Sequence, residues 1–571
     1  MTLFPTWLRA YERGHLGPDV AAGVTIAAML VPQAMAYALL AGLPPEVGLY
    51  AATVPLVAYA VFGTSRQLAV GPVAIVSLMT AAALGELADE GGADYIALAA
   101  LLALMVGVVH LVLGLARLGF VVNLLSHSVL VGFTAAAALI IGTSQVKHVL
   151  GISVARKSHY YETVDEVITN ISDTHGWTVL IGFGTVAALV ALRMWRRSIP
   201  GALAVVVATT ALSAAFDLES RGVAVVGDIP AQLPSFDVPD LAGGNIADLA
   251  VTAIVITLVG FMESIAVAKV YARRNRYDVD PNRELVGLGA ANVAAGVFGG
   301  YPVTGGFSRT AVNADAGART PMASLVTAGG VLLTLVLLTP LLGDLPTATL
   351  GAVVIVAVSG LFDVRELRHI ASVKRSDLLT STTAFVATLA LGIELGILVA
   401  VGASLLVVFT RISNPHTAVI GRLPGTDVYR NVERFPEART TPGIAFVRID
   451  ASLSFANVTF LKRRLRRIED DAATPLRAIV IDASGINDID ASAESALREL
   501  HEEYRDRDVR LVFTQLKGPV RDVLHRGSLW EQLGDGALYA TNAEAETALR
   551  EEPDPHRPSQ PGHSIGLDER G

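Results

Sequence analysis

The chain has 571 residues, 52% of them hydrophobic and 17% charged, and a formal net charge of −9. A mean hydropathy of +0.51 is too apolar for a soluble protein of this length, so the composition predicts an α-helical polytopic membrane protein. The acidic excess lies in loops and in the C-terminal region, and the sequence contains no basic patch suited to nucleic acid. Because cysteine is absent, disulfides, thiolate zinc sites and iron–sulfur clusters are excluded.

Residues 1–18 combine aromatic and basic side chains and lack a cleavable signal pattern, which predicts a short cytoplasmic, interfacial segment. About fourteen apolar segments follow, several of them short or interrupted, and they predict a transmembrane domain over residues 19–410. Their centres lie near residues 30, 55, 80, 105, 133, 185, 207, 258, 292, 312, 332, 354, 385 and 402.

Two of these segments are broken by glycine and proline. The breaks are Gly-Pro-Val-Ala at residues 71–74 and Gly-Gly-Tyr-Pro-Val-Thr-Gly-Gly-Phe-Ser-Arg at residues 299–309. Irregular backbone persists at membrane depth only where it is buried in protein or lines a wet cavity. Each break precedes a half-helix whose free N–H groups, with Arg309 nearby, would favour an anion. We therefore predict that the two breaks face each other around an anion site.

The spacing of polar residues around the breaks indicates an internal repeat. Gln33 precedes Pro72 by 39 residues (72 − 33), and Glu263 precedes Pro302 by the same 39 residues (302 − 263). Fourteen spans then divide into seven plus seven, and because seven is odd the two halves are predicted to be inverted relative to each other.

The charges of the connections predict the orientation. Basic residues gather in the even-numbered connections and acidic residues in the odd-numbered ones, so the positive-inside rule places both termini in the cytoplasm. The basic set is Arg66, Arg117, Arg193, Arg196, Arg197, Arg273, Arg274, Arg276, Arg283, Arg365, Arg368, Lys374 and Arg375, whereas Arg156 is among the few basic residues on the opposite side.

The pattern changes to that of a soluble α/β domain after the last apolar segment. Residues 411–442 are polar and contain proline, which predicts a linker, and residues 443–550 alternate strands with helices, which predicts a sheet covered by helices. Residues 551–571 are rich in Pro, Gly, Ser and charge and predict a disordered tail. The predicted strands are 444–449, 478–482 and 510–514, and the predicted helices are 457–468, 491–504 and 518–526.

The first helix and its surroundings resemble the SulP family of anion transporters, also known as solute carrier family 26. The resemblance rests on five runs: Pro-Gln-Ala-Met-Ala-Tyr-Ala at 32–38, Ala-Gly-Leu-Pro-Pro at 41–45, Gly-Leu-Tyr at 48–50, Gly-Thr-Ser-Arg at 63–66 and Gly-Pro at 71–72. It covers the membrane part from about residue 18, and the soluble part resembles the family's STAS domain. It implies a mobile core domain (helices one to four and eight to eleven), a gate domain and a homodimer.

The resemblance also implies a substrate site between the third and tenth helices, at the two breaks. The residues carried over to this site are Gln33, Tyr37, Pro72, Val73, Ala74, Gly306, Phe307, Ser308 and Arg309. The alternatives are structural: the prolines as simple kinks, Gln33 in an interhelical hydrogen bond, and Arg309 extended towards the membrane interface.

Glu263 is the most informative ionisable residue, because a carboxylate inside an apolar helix is costly unless it is functional or neutralised. Burial favours the neutral form of a carboxyl group, so Glu263 is predicted to carry the coupling proton. In the family this acidic position is linked to cation coupling. Ala266 and Val267, one helical turn on, supply no side-chain oxygen for sodium. The alternative is that Glu263 is permanently paired with Arg309 or with another partner and never titrates.

Two other polar positions have structural interpretations. His110 lies alone in an apolar segment and is predicted to be a satisfied buried histidine rather than a ligand. In the STAS-like part, the residue after Asp490 is Ala491, where soluble regulators of this fold carry a phosphorylatable serine; Ser492 is adjacent. A phosphorylation switch at that position is therefore not expected, and a packing or dimer-stabilising module is preferred.

Together these features predict a secondary active transporter that moves an inorganic oxyanion, most simply sulfate, with protons by alternating access in the cell inner membrane. The alternatives are a sodium-coupled bicarbonate transporter, a C4-dicarboxylate transporter, or a membrane anion sensor that signals through the STAS domain. An enzyme, a cofactor and a metal site are not expected, because no nucleophile–base pair or metal cluster is present. The expected partners are the anion, the proton, the bilayer and a second copy of the chain.

Overall fold

The computed structural model describes residues 6–9, 11–120, 126–154, 157, 159–195, 200–240 and 246–551. Arg156, Arg196, Arg197, most of the predicted tail and the first five residues lie outside this set. The chain forms two structural units, Met1–Ser404 and Leu405–Gly571. Eight described helices are long and apolar enough to cross a membrane, and three shorter apolar helices accompany them.

The first half of the membrane unit contains ten helices and a short strand in its described residues. They are α1 Thr6–Arg9, α2 Leu16–Leu40, α3 Pro45–Ala51, α4 Val54–Phe62, β1 Val70–Gly71, α5 Ala74–Leu84, α6 Ala93–Leu115, α7 His127–Leu150, α8 Tyr160–Thr169, α9 Gly176–Trp195 and α10 Gly201–Phe216. The first long helix begins at Leu16, within the segment predicted to be interfacial, because the buried carboxylate of Asp19 accepts hydrogen bonds from the backbone N–H groups of Arg319 and Thr320.

The second half repeats this pattern. It contains α11 Ile246–Arg274, α12 Pro281–Val297, β2 Thr304–Gly305, α13 Phe307–Asp315, α14 Met322–Leu337, α15 Thr347–Val358, α16 Val364–Val373, α17 Arg375–Leu391 and α18 Ile393–Ser413. Each of the fourteen predicted segment centres lies within a helix. Helices are therefore present at every predicted centre, and eleven of the centres lie in the long or shorter apolar helices, whereas the helices at 292, 312 and 385 are not among these.

Local sequence explains several helix ends. α12 begins where the Asp280 carboxylate accepts from the N–H groups of Asn282 and Arg283, and Pro281 occupies the first helical position, where its missing N–H costs nothing. α7 ends at Gly151, which has φ of 69°, a conformation that glycine adopts without a steric penalty.

The helices of the membrane unit contact one another in two groups. In the first group α2, α4, α5 and α6 contact α11, α12, α13 and α14, whereas in the second α7, α9 and α10 contact α15 and α17. Contacts of α2 with α10 and α15, and of α5 with α7, join the two groups. The first group corresponds to helices one to four and eight to eleven, the predicted core domain, and the second to the predicted gate domain. The contacts α2–α13 and α5–α11 cross between the two halves of the repeat.

The C-terminal unit contains a six-stranded sheet in the order β4-β3-β5-β6-β7-β8. Strands β5 to β8 are parallel, and β3 is antiparallel to both of its neighbours. Its elements are β3 Thr417–Arg422, β4 Tyr429–Asn431, β5 Ile444–Ile449, α19 Val458–Asp470, β6 Ala478–Asp482, α20 Ala491–Arg505, β7 Arg510–Thr514, α21 Gly518–Arg526, α22 Leu529–Leu533, β8 Leu538–Tyr539 and α23 Asn542–Glu551.

Alternate residues of the central strands pack on opposite faces of this sheet. Val447 and Ile481 lie in the apolar core that contains residues of α19 and α20, and Phe446 and Val480 lie in the core that contains residues of α23. The six predicted elements are present. The segment 411–442, predicted to be a linker, differs: it contains β3 and β4, because these short, partly polar strands become recognisable only through pairing with β5.

Candidate anion-binding site

The two breaks lie side by side. β1 pairs with β2 in antiparallel register, with Val70 opposite Gly305 and Gly71 opposite Thr304. The N–H of Gly306 also donates to the carbonyl oxygen of Ala69 at 3.0 Å. The prediction that the breaks face each other is confirmed. This pairing satisfies backbone groups that would otherwise be exposed to an apolar medium.

Polar side chains of neighbouring helices hold the second break in place. The Asn292 amide on α12 accepts from the N–H of Val303 and donates to its carbonyl oxygen, both at 2.9 Å. The Ser264 hydroxyl on α11 accepts from the N–H of Gly305 at 2.8 Å and lies 2.7 Å from the Thr304 hydroxyl. Since these side chains are buried, the break has a fixed backbone conformation rather than that of a loose loop.

Each break leads into a half-helix whose N-terminus has no side-chain cap. Val73 is the N-cap of α5 and Gly306 is the N-cap of α13, and neither helix receives a capping hydrogen bond from a side chain. The first turns therefore present N–H groups that lack an intrahelical acceptor. Because the positive ends of two helix dipoles meet at the β1–β2 pair, the arrangement favours a bound anion.

Arg309 joins the two breaks. Its Nη1 donates to the carbonyl oxygen of Pro72 at 2.5 Å, while its Nε and Nη2 are buried without a hydrogen-bond partner. The side chain is 2% exposed, which contradicts the alternative that it extends to the membrane interface. A buried guanidinium with two unused donors is costly unless a ligand accepts from them.

Glycine gives the guanidinium its space. A Cβ atom on Gly306 would lie 2.9 Å from Nη2 of Arg309, and one on Gly71 would lie 3.4 Å from the same atom. Contacts under 3.0 Å force an atom to move, so a side chain at position 306 displaces the guanidinium. Glycine at these positions therefore serves the site as well as the backbone.

Glu263 lies close enough to Arg309 for their charges to interact, as does Tyr37. The described residues contain no ion pair between Glu263 and Arg309, and the Oε2 atom of Glu263 is buried without a hydrogen-bond partner. The alternative of a permanent ion pair is therefore not what this conformation shows. The site contains one cationic and one acidic group, each with polar atoms that remain unused.

The other predicted site residues occupy the same region. Gln33 lies on α2 one turn before Tyr37, and both are buried. Pro72, Val73 and Ala74 are buried at the start of α5, whereas Phe307 and Ser308 form the exposed start of α13.

Comparison with known proteins identifies the family. A profile described as the sulfate permease family matches residues 16–384, and a profile of the STAS domain matches residues 435–545. The chain belongs to the sulfate permease family. This is a family of multi-pass membrane transporters and not of enzymes.

Similar proteins and solved structures cover most of the chain. The chain is 41% identical over 556 residues to the sulfate transporter 4.1, chloroplastic, of Arabidopsis thaliana, which covers 93% of this chain and 80% of the relative. The murine solute carrier 26 family member A9 anion transporter in its inward-facing state is 24% identical, covers 96% of this chain and 94% of its own, and has a TM-score of 0.88. The transmembrane domain of a cyanobacterial bicarbonate transporter, BicA, is 23% identical to this chain and has a TM-score of 0.60. The match covers 69% of this chain and 98% of the BicA domain.

Several residues that shape the site of this sulfate permease family member were missed in the sequence. The main one is Glu284 on α12, which is fully buried. Its Oε1 accepts from the N–H groups of Thr64 and Ser65 at 2.6 and 2.9 Å, and its Oε2 accepts from the Tyr59 hydroxyl at 2.6 Å. It thereby fixes the chain that enters β1. Its place near the start of a helix resembles an ordinary exposed acidic cap, so the sequence carried no signal of burial.

His110 differs in part from the prediction. Its Nδ1 lies 2.9 Å from the carbonyl oxygen of Val106, but its Nε2 is buried without a partner.

In the STAS domain, the Asp490 carboxylate accepts hydrogen bonds from the N–H groups of Ala493 and Phe455. Asp490 therefore serves as the N-cap of α20. No group of three or more potential metal ligands is found among the described residues.

A cavity of about 740 Å³ lies between helices of the two groups in the membrane unit. Leu78 on α5 and Lys147 on α7 both line it, together with Gln145 and Gly392. None of the nine predicted substrate residues lines this cavity. Its lining residues on α5 are Leu78, Ala82 and Ala83, which lie beyond the first turn of that helix and away from the end that faces Arg309.

Proposed function

We propose that this anion transporter binds a small inorganic oxyanion, most simply sulfate, between the N-termini of α5 and α13 and moves it together with a proton. The observation that carries the proposal is the buried Arg309 guanidinium, which is bonded to the first break and keeps two donors unused beside two uncapped half-helices.

The chemistry of the site suits an oxyanion that must also be released. Backbone N–H groups and one guanidinium supply donors and positive potential without forming a closed cage of charges. A transport site needs affinity high enough for entry and low enough for departure, and helix dipoles with one cation meet this requirement. The similarity to the Arabidopsis sulfate transporter favours sulfate as the first substrate to test.

Glu263 is the proposed proton carrier. Its Oε2 is buried without a partner, and it interacts electrostatically with Arg309. Protonation of Glu263 would leave the Arg309 charge for the anion, whereas deprotonation would compensate that charge when the site is empty. This reciprocal arrangement couples the two solutes through one cation.

Sodium-coupled bicarbonate transport is the second candidate, because the fold is shared with BicA, a bicarbonate transporter. Backbone dipoles and one arginine do not select sharply among small anions. Ala266 and Val267, one turn after Glu263, supply no side-chain oxygen to a sodium ion, which favours the proton as the coupling ion.

The proposed transport cycle is alternating access, in which the core helices move against the gate helices. The division of helix contacts into two groups supports this motion. We also propose that both termini lie in the cytoplasm, as the distribution of basic residues in the connections predicts. A homodimer in the plasma membrane is proposed from the resemblance to the family alone.

Uptake by purified protein in proteoliposomes tests this function. Labelled sulfate, bicarbonate and fumarate are offered in turn under an inward proton gradient and then under an inward sodium gradient. Proton-driven accumulation of sulfate is the expected result. Sodium-driven accumulation of bicarbonate alone would replace the first candidate with the second, and accumulation of none of them would contradict both.

A further inference from the structure

The helix α19 of the STAS domain carries a one-sided row of unpaired arginines. Arg463, Arg464 and Arg467 follow Phe460 at spacings of three, four and seven residues, so all four lie on one helix face. No hydrogen bond or ion pair to these three arginine side chains occurs in the described part of the chain, and two of them are exposed.

The neighbouring basic residues on the same helix are occupied. The Lys462 ammonium donates to Glu499 at 2.7 Å and the Arg466 guanidinium donates to Glu503 at 3.0 Å, both on α20. Lys462 and Arg466 therefore belong to the packing of two STAS helices. The arginine face, defined as Arg463, Arg464 and Arg467, makes no ion pair within the described residues of the domain.

The start of α19 lies beside the end of a membrane-crossing helix. Asn457 is the N-cap residue of α19, and its side chain donates from Nδ2 to the carbonyl oxygen of Ile412 at 3.2 Å. Ile412 is in the last turn of α18, whose residues Leu395–Ser413 qualify as a membrane span. This hydrogen bond places the first turn of α19 at the level where the chain leaves the bilayer.

An exposed aromatic side chain lies close to the same end of α19. Phe455 is 70% exposed, and its N–H is fixed by the Asp490 carboxylate at 2.9 Å, so its outward position belongs to the fold. Aromatic side chains are favoured at the membrane–water interface, and basic side chains next to it are attracted to anionic headgroups. From Phe460 to Arg467 the helix rises only about 10 Å, which keeps the arginines within headgroup reach.

We propose that the arginine face of α19 binds anionic phospholipid headgroups of the leaflet at which α18 ends. Phe455 and Phe460 lie towards the apolar side of this contact and the arginines towards the phosphates. The contact ties the STAS domain to the bilayer surface by charge, so its strength depends on the anionic lipid content and on salt.

The absence of cysteine from the chain allows a clean test in the full-length protein. A fluorophore is attached at Thr459→Cys, an exposed position on α19, and the protein is placed in nanodiscs that carry a headgroup-attached quencher. Discs of phosphatidylcholine alone are compared with discs that also contain phosphatidylglycerol. Quenching is expected to increase with phosphatidylglycerol and to lose that increase at about 1 M salt, where screening acts within about 3 Å.

Two matched double variants identify the residues responsible. Arg463→Gln with Arg467→Gln and Lys462→Gln with Arg466→Gln each remove two charges four residues apart from the same helix. Each arginine near an anionic surface contributes about a fivefold preference, so the first pair is expected to lower the docked-to-free ratio about 25-fold. The second pair is expected to leave the response to phosphatidylglycerol in place.

Three outcomes would overturn the proposal. The first is equal quenching in both kinds of disc, and the second is an equal loss, in the two double variants, of the increase in quenching with phosphatidylglycerol. The third is a change in quenching when inorganic phosphate is added to protein in phosphatidylcholine discs. The last outcome would assign the arginine face to a soluble anion.

Discussion

Nη1 of Arg309 donates to the carbonyl oxygen of Pro72, 237 residues earlier in the chain, and so ties the second break to the first. Two donors of the same guanidinium stay unused. One side chain thus has a structural bond on one edge and free binding capacity on the other. This division explains how a single arginine both joins the two half-helices and serves an anion between them.

Removal of this guanidinium should weaken anion binding. Arg309→Ala is expected to lower sulfate affinity about 10- to 100-fold, the range for loss of a hydrogen bond to a charged group. Equilibrium binding of labelled sulfate to purified protein measures it. Arg319→Ala, whose exposed side chain lies beyond α13, is the control and should bind normally. Equal affinity in Arg309→Ala and the unmodified protein would remove Arg309 from the site.

A methyl group beside the guanidinium should have a related but smaller effect. Gly306→Ala places a Cβ atom 2.9 Å from Nη2 of Arg309, so the guanidinium must move, and sulfate affinity is expected to fall about tenfold from strain of this kind. Gly329→Ala on α14, where a Cβ atom meets nothing within 4 Å, is the matched control. If both variants bind like the unmodified protein, the guanidinium position does not matter for binding.

Glu284 should matter for stability through the loop it holds. Glu284→Ala leaves the N–H groups of Thr64 and Ser65 without their acceptor and is expected to lower stability by about 3 kcal/mol. The thermal midpoint of detergent-purified protein, followed by size-exclusion chromatography after heating, reports the change. Arg283→Ala, which changes an exposed neighbouring residue, is the control and should leave the thermal midpoint unchanged. A normal midpoint for Glu284→Ala would mean that the loop holds its shape without this carboxylate.

A buried carboxylate makes the C-terminal helix of the STAS domain sensitive to acid. Burial raises the pKa of Glu546, but hydrogen bonds from Thr441 and Tyr429 and the charges of Arg550 and Arg422 outweigh it, so its pKa lies below the ordinary value. The stability it contributes is present above the unfolded pKa, about 4.3, and is lost as the pH falls through the lower folded pKa. The protection of α23 amides, taken relative to the intrinsic exchange rate at each pH, should therefore fall as the pH drops below about 4.

Substitution of this carboxylate separates its effect from general acid unfolding. Glu546→Gln is expected to destabilise α23 by about 3 kcal/mol at neutral pH, because two arginines lose their buried partner. Glu546→Gln should also remove the acid-dependent loss of amide protection in α23. Glu551→Gln, an exposed residue at the end of the same helix, should exchange like the unmodified chain. The same acid response in both variants would assign it to other groups.

The sequence predicted those features that depend on local composition. The fourteen segment centres, the central strands and helices of the STAS domain, and the apposition of the two breaks follow from apolar periodicity and from the positions of Gly and Pro. Arg309 and Glu263 were identified because an ionisable group inside an apolar segment is conspicuous. What they contact was not predictable, because it depends on how two distant helices meet.

Features that arise from long-range pairing were missed. Asn292, Ser264 and Glu284 are ordinary polar residues in sequence, and only their buried hydrogen bonds to the loops around the breaks reveal their roles. In the same way, the strands β3 and β4 depend on β5 for their recognition. Burial of a polar residue near a helix end has no local signature, since exposed caps use the same side chains.

Coupling of the anion to a proton is assigned to Glu263, and this role is measured by proton-driven accumulation of labelled sulfate in proteoliposomes. Glu263→Gln is compared with the unmodified protein and with Asp248→Asn, which removes an exposed carboxylate from the same helix. We expect accumulation by the unmodified protein and by Asp248→Asn, and its loss in Glu263→Gln with sulfate exchange retained. Full proton-driven accumulation of sulfate by Glu263→Gln would show that Glu263 does not carry the coupling proton.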